Sequence, residues 1–266
     1  MDVCSLVEKP SDFQMFSLLF VEQTLINDTD IYDPDAVTDS VPNEDRPYFS
    51  EDYQVGDIVQ FGAYEQDGNQ SNGKEPIDWI VLEKQDDKIL LLSKLILDNQ
   101  LYHTKNEQVT WETCDLRNWL NNDFINIAFT AQEQLLLLET KIITPDFDAG
   151  SIEYSDGRVF HNLYLDGSVV TDRCFILSYE EIEYYFKDDK RKATSSNYSK
   201  KNFDYWYIRS GNCNQVQTAW WDRNDTIDLF FSPVMYGDGK LMSVVTQASK
   251  GHGYGVRPAI WVSTNK

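Results

Sequence analysis

Metal-binding and redox side chains are scarce in this chain. Three histidines (103, 161 and 252) and four cysteines (4, 114, 174 and 213) are scattered over 266 residues. None of them stand at the short spacing of a zinc site, so no metal and no cofactor is expected. Scattered thiols suit a reducing compartment, and the N-terminus shows no basic segment followed by an apolar core; a cytoplasmic location is expected. Positive charge is also in deficit. There are 23 Lys and Arg against 44 Asp and Glu, a formal net charge of -21. Such a field repels phosphate backbones, so nucleic acid and anionic membrane surfaces are poor partners. "FSLLF" (16–20) falls far short of the roughly twenty apolar residues that a membrane span needs. GxSxG, HExxH and Walker patterns are absent, which argues against the commonest hydrolases and NTPases.

Aromatic residues are what the chain has in quantity: 14%, including seven Trp and fifteen Tyr. Rings at that density build either a core or a recognition surface. Residues 11–26 have the periodicity of a helix, with Phe13, Phe16, Leu19 and Phe20 on one face. An acidic, proline-dotted arm follows at 27–47. The reading is therefore an N-terminal helix plus arm (1–50) and a folded domain (51–266).

Within that domain, 54–65, 77–84 and 88–94 read as strands of an antiparallel meander, the last two joined by the short turn "QDD". Residues 110–124 read as a helix burying Leu116, Trp119 and Leu120. Residues 130–139 open with a capping box, Thr130 to Glu133. Residues 144–172 read as a loop or hairpin excursion. A strand then passes into a helix at 173–186, with Ser178 and Glu181 as its capping box. Strands follow at 205–211, 216–222, 226–232, 240–246 and 255–262. The order predicts an α+β fold of mainly antiparallel short strands with two or three packed helices. It lacks the strand–helix alternation and Gly-rich loop of a nucleotide-binding doubly wound sheet.

The series "EPIDW", "TWETCDLRNWLNNDF", "YWYIRSG" and "GVRPAIW" resembles a bacterial domain family of unknown function, common in gut Firmicutes. The resemblance runs over roughly 54–262. It implies a C-type-lectin-like core akin to that of sulfatase-modifying enzymes, with a ligand face made by the C-terminal loops. It carries no catalytic activity. The copper-holding cysteine pair of formylglycine-generating relatives is missing, since only Cys213 lies in the final segment. "WWDRND" (220–225) departs from the lectin calcium motif at Arg223.

Candidate ligand-binding residues are Trp220, Trp221, Asp222, Arg223, Asn224 and Asp225, the densest mixture of rings and polar groups, with Tyr236, His252 and Tyr254 extending the surface. Arg117, Arg209 and Arg257 lie in apolar segments, where a guanidinium must be hydrogen-bonded; with Trp119 they are read as structural. Pro258 cannot donate to a ladder, which puts its strand at an edge or bulge. The function expected is non-enzymatic recognition of a protein or glycan. The alternatives are a carbohydrate-active enzyme using a carboxylate pair, or a structural module of a larger assembly.

Overall fold

The computed structural model describes residues 52–153, 159–186, 191–199, 205–210, 213–218, 226–235, 237, 241–247 and 253–264. The N-terminal helix and acidic arm read at 1–50 lie outside the described residues. The fold is α+β.

The first three strands, β1 (Ile58–Tyr64), β2 (Glu75–Gln85) and β3 (Lys88–Ser93), form the antiparallel meander. Gly62, at φ +67, sits in the irregular stretch where the β1–β2 register shifts; a Cβ there would fall 2.6 Å from the Phe129 ring. Close approach as well as backbone conformation therefore calls for glycine. Past β3 the chain makes β4 (Asp98–Gln100) and enters a helical region: a 3-10 turn (Trp111–Thr113), α1 (Asp115–Trp119), a π turn (Leu120–Phe124) and α2 (Ile125–Ala128). Leu116, Leu120, Phe124 and Ile125 are buried along its inner face.

The segment 130–139 departs from its sequence reading. The capping box forms, but α3 (Ala131–Gln134) lasts one turn. Leu136 and Leu138 instead exchange backbone hydrogen bonds with Ser263 and Trp261, which draws the apolar run out of the helix and onto a strand edge. Next come β5 (Thr140–Ile143), the hairpin β6 (Phe147–Glu153) and β7 (Val159–Tyr164), and β8 (Val169–Asp172), which pairs antiparallel with β5. Helix α4 (Tyr179–Tyr185) starts at the Ser178–Glu181 capping box.

The C-terminal third is made of β9 (Trp206–Tyr207), β10 (Cys213–Thr218), β11 (Thr226–Met235), β12 (Leu241–Gln247), β13 (Tyr254–Val256) and β14 (Ala259–Ser263). "GVRPAIWV" is thus two strands rather than one. β13 pairs with β4 and β9 in a six-stranded sheet, whereas β14 pairs with β3 in the four-stranded sheet β1-β2-β3-β14. The segments 88–100 and 254–263 therefore cross between the two sheets side by side. Pro258 stands at the crossing, where its missing N–H costs nothing and its carbonyl accepts from Ser93 N. Gly255 is held close: a Cβ there would meet the Tyr205 carbonyl oxygen at 2.3 Å.

Candidate functional site

The site grows from the stretch "TWETCDLRNWLNN". Trp111 is fully buried, and its indole Nε1 donates to Asp172 Oδ2 at 2.9 Å. The other Asp172 oxygen accepts from Arg117 Nε at 2.8 Å. The antiparallel β5–β8 pair delivers Asp172, and α1 delivers Arg117 six residues past Trp111. Arg117 also donates from Nη1 to the Glu112 carbonyl (3.1 Å) and from Nη2 to the Thr171 carbonyl (3.5 Å). These bonds join the helical segment to β8.

Local sequence shapes the outer wall. Asn121 Nδ2 donates to the Arg117 carbonyl at 3.1 Å and Asn122 Nδ2 to the Asn118 carbonyl at 2.8 Å. Side-chain donors placed on carbonyls four residues back intrude on the α-helical ladder, and the helix widens into the π turn at 120–124. Such widenings recur at functional sites. Asn121 Oδ1 accepts from the backbone N–H groups of Arg173 and Cys174, which fixes the approach of the chain after β8. Asn122 Nδ2 also reaches Asn118 Oδ1 at 2.9 Å, setting two exposed carboxamides side by side.

These elements enclose an open cleft of about 560 Å³ lined by residues 112–115, 117–118, 121–122, 139 and 171–173. Its charged side chains are the carboxylates Glu112, Asp115, Glu139 and Asp172 and the guanidiniums Arg117 and Arg173. Burial pushes the Asp172 carboxyl above the ordinary aspartate range and outweighs the opposing Trp111 hydrogen bond and Arg117 charge. At Asp115 the balance is reversed. Partial burial raises it, but the two Thr104 hydrogen bonds and His103 prevail, so its carboxyl lies below that range. Burial pushes the Cys114 thiol up to about 12, and Cys174 well above its usual value. Neither is a thiolate nucleophile at neutral pH. His103 lies behind Asp115 with Nε2 at 3.1 Å from Glu107; its Nδ1 is 3.2 Å from Asp115 Oδ2 but without hydrogen-bond alignment.

A family model for a domain of unknown function, DUF6273, matches residues 86–264. The chain belongs to the DUF6273 family. Neither the curated proteins nor the solved structures contain a match to it. The matched stretch holds every residue that lines the cleft, together with β3–β14 and all the helices described above; β1 and β2 precede it. It starts later than the resemblance read from the sequence, which began near residue 54.

Of the ligand-binding candidates, Trp220, Trp221, Asp222, Arg223, Asn224, Asp225, Tyr236 and His252 lie outside the described residues. Tyr254 is described. It is half-buried on β13, its ring stacked with Tyr205 (6.1 Å, 7°) and edge-on to Tyr207 (5.7 Å). Arg209 is buried, and each nitrogen of its guanidinium is engaged. Nε donates to Thr144 Oγ1, Nη1 to the Ile176 carbonyl and Glu181, and Nη2 to the Ile143 carbonyl and Glu181. Arg257 is buried at the strand crossing, with Nε donating to the Ser93 carbonyl and its guanidinium 5.2 Å from the Trp206 ring. Trp119 packs its ring 5.5 Å from Phe124. Among the described residues, Arg117 is the one singled-out candidate that lines the cleft. Asp172, Asn118, Asn122, Glu112 and Glu139 went unnoticed in the sequence. The available signal was the polar run Arg-Asn…Asn-Asn inside an otherwise amphipathic helix.

A second acidic group lies on the β1–β2 connection, where carboxylate oxygens of Glu65, Asp67 and Glu75 come within 4.8 Å of one another. Their oxygens already accept from the backbone N–H groups of residues 66 to 69. The group therefore reads as a turn held together by its own amides. No helix among the described residues is long and apolar enough to cross a membrane.

Proposed function

We propose that this DUF6273-family domain is a non-enzymatic recognition module for a protein or glycan. Its core is C-type-lectin-like, as the sequence resemblance implies. The cleft is one contact surface, and Trp220–Asp225, Tyr236, His252 and Tyr254 contribute the other. Arg209, Arg257 and Trp119 hold the scaffold, whereas Arg117 serves both scaffold and cleft.

One observation carries the proposal. The cleft presents unengaged polar groups at its rim, above a floor whose reactive groups are tied or neutralised. Asp172 is committed to Trp111 and Arg117, and the two nearby thiols are held protonated. The rim carboxylates of Glu112 and Glu139 are exposed, and no hydrogen bond among the described residues orients them as a general acid or base requires. A binding site needs only fixed donors and acceptors, and these are present.

The test is capture by the intact chain. The immobilised protein is exposed to an oligosaccharide array and to a fractionated protein extract. Retained molecules are identified by mass spectrometry and rebound in purified form. The expected result is a defined ligand recovered unaltered. A ligand recovered cleaved or modified, or no ligand that rebinds, would overturn the proposal.

A further inference from the structure

We infer that the cleft between α1 and β8 takes an uncharged carbohydrate; this rests on the recognition reading above. The inference comes from counting what the rim has left to offer. A guanidinium has five N–H groups. Arg117 spends one on Asp172 and one each on the Glu112 and Thr171 carbonyls, so one N–H remains on each terminal nitrogen. The Asn118 amide nitrogen and the Asn122 amide oxygen make no hydrogen bond among the described residues, although the opposite ends of these two groups bond each other. The Glu112 and Glu139 carboxylates, both on exposed residues, likewise have no side-chain hydrogen bond among the described residues. The rim thus offers both donors and acceptors, with the Arg117 guanidinium and the Asn118–Asn122 pair held in place by their own hydrogen bonds.

Three ligand classes meet that rim differently. A phosphate, sulfate or carboxylate brings acceptors only and confronts four carboxylates against two guanidiniums. An ammonium or guanidinium is drawn by the excess of carboxylates, but it brings donors only and leaves the remaining Arg117 N–H groups without an acceptor. A sugar hydroxyl both donates and accepts. Vicinal hydroxyl pairs can bridge a planar carboxamide, carboxylate or guanidinium edge with two hydrogen bonds. The uncharged polyol is therefore the class that leaves neither set unpaired, and unpaired polar groups are what specificity penalises most. The volume of about 560 Å³ is that of a small-ligand site. The two carboxamides are already locked together, so little side-chain freedom is lost on binding.

The experiment applies the full-length protein to an array of neutral, sialylated and sulfated oligosaccharides, then measures each retained oligosaccharide by calorimetry. Wild type is compared with N118A/N122A and with W220A/W221A. Neutral oligosaccharides are expected to be retained, with affinity falling about tenfold or more in N118A/N122A. The melting temperature of that variant should be unchanged. Preferential retention of sialylated or sulfated oligosaccharides overturns the inference. Neutral binding that survives N118A/N122A but disappears in W220A/W221A also overturns it, while leaving the recognition reading intact. Retention of no oligosaccharide overturns it as well, and the proposed function then stands or falls on the protein capture alone.

Discussion

Arg209 and Arg117 each clasp a carboxylate, yet they end up in opposite circumstances. The Arg209 side chain is fully buried, paired bidentately with Glu181 at 2.8 and 3.0 Å, and bonded to two carbonyls and a hydroxyl besides. Glu181 in turn caps α4 through Ser178 N, so one ion pair fastens β5, β9 and the start of a helix. The Arg117 side chain is 25% exposed, and its partner Asp172 is 1% exposed. In this pair the buried member is the acid, and the base still faces a cleft. A guanidinium with every N–H engaged can only hold a structure together. One with N–H groups left over can also hold something else.

Breaking the Arg209 knot should have the largest effect. Arg209→Ala leaves Glu181, the buried Ile176 carbonyl and the partly buried Ile143 carbonyl without their guanidinium donor and should cost about 3–5 kcal/mol. Urea unfolding would register this as a lower midpoint. Arg117→Ala should cost less, about 1–3 kcal/mol, because Asp172 keeps the Trp111 hydrogen bond and water can enter from the cleft. Adding Asp172→Asn to that variant should recover part of the loss, since the asparagine still accepts from Trp111 without carrying an unpaired charge. If Arg117→Ala proved as costly as Arg209→Ala, the two sites would be the same kind of object, and the cleft would lose its claim to a separate role.

A smaller effect separates the pairs by pH. Burial raises the Asp172 pKa in the folded state above its unfolded value. The folded protein therefore holds that proton more tightly than the unfolded chain. The stabilisation from Asp172 is fully present below the unfolded value and fades as pH rises through the folded one. Wild type and Asp172→Asn should thus diverge across the acid range, the variant gaining on wild type as pH rises through that window. Parallel urea midpoints for the two proteins cancel the titration of the many other carboxylates. A variant that lost ground with rising pH would show Arg117 outweighing burial.

The strands were the most legible part of the molecule. Alternation marks β1, and apolar runs bounded by turns mark β2 and β3, because period-two burial is written directly into local order. Capping boxes located the starts of α3 and α4, but a cap fixes a beginning and not a length. The run Leu136–Leu138 left α3 after one turn because a strand edge more than 120 residues away in sequence claimed the Leu138 N–H and the Leu136 carbonyl. The break in "GVRPAIWV" was signalled by Pro258, although an edge or bulge was the local inference and a crossing between sheets is a long-range fact. Gly255 was read only as the first residue of a strand; the reason it is glycine is the Tyr205 carbonyl, contributed by a segment 50 residues earlier. The cleft was nearly illegible for the same cause. Trp111, Arg117 and Asp172 meet through tertiary packing, and no spacing in the chain connects residue 111 to residue 172.

The smallest expected effect is the one that tests the comparison most sharply. Asn118→Ala/Asn122→Ala removes the exposed pair of carboxamides that line the cleft together with Asp172. The hydrogen bonds lost are solvent-exposed, so water replaces them at little net cost. Alanine is also a better helix former than asparagine, by up to about 0.7 kcal/mol per residue. The Asn122 side chain no longer competes for the Asn118 carbonyl, which eases one source of the π widening. These terms oppose one another, and the double variant should stay within about 0.5 kcal/mol of wild type in urea unfolding. With stability unchanged, any loss of ligand binding in this variant can be assigned to the carboxamides themselves. A loss above about 1.5 kcal/mol would instead make the carboxamides part of the scaffold, as the Arg209 knot is, and would leave Arg117 as the cleft's main polar group without a structural commitment for every donor.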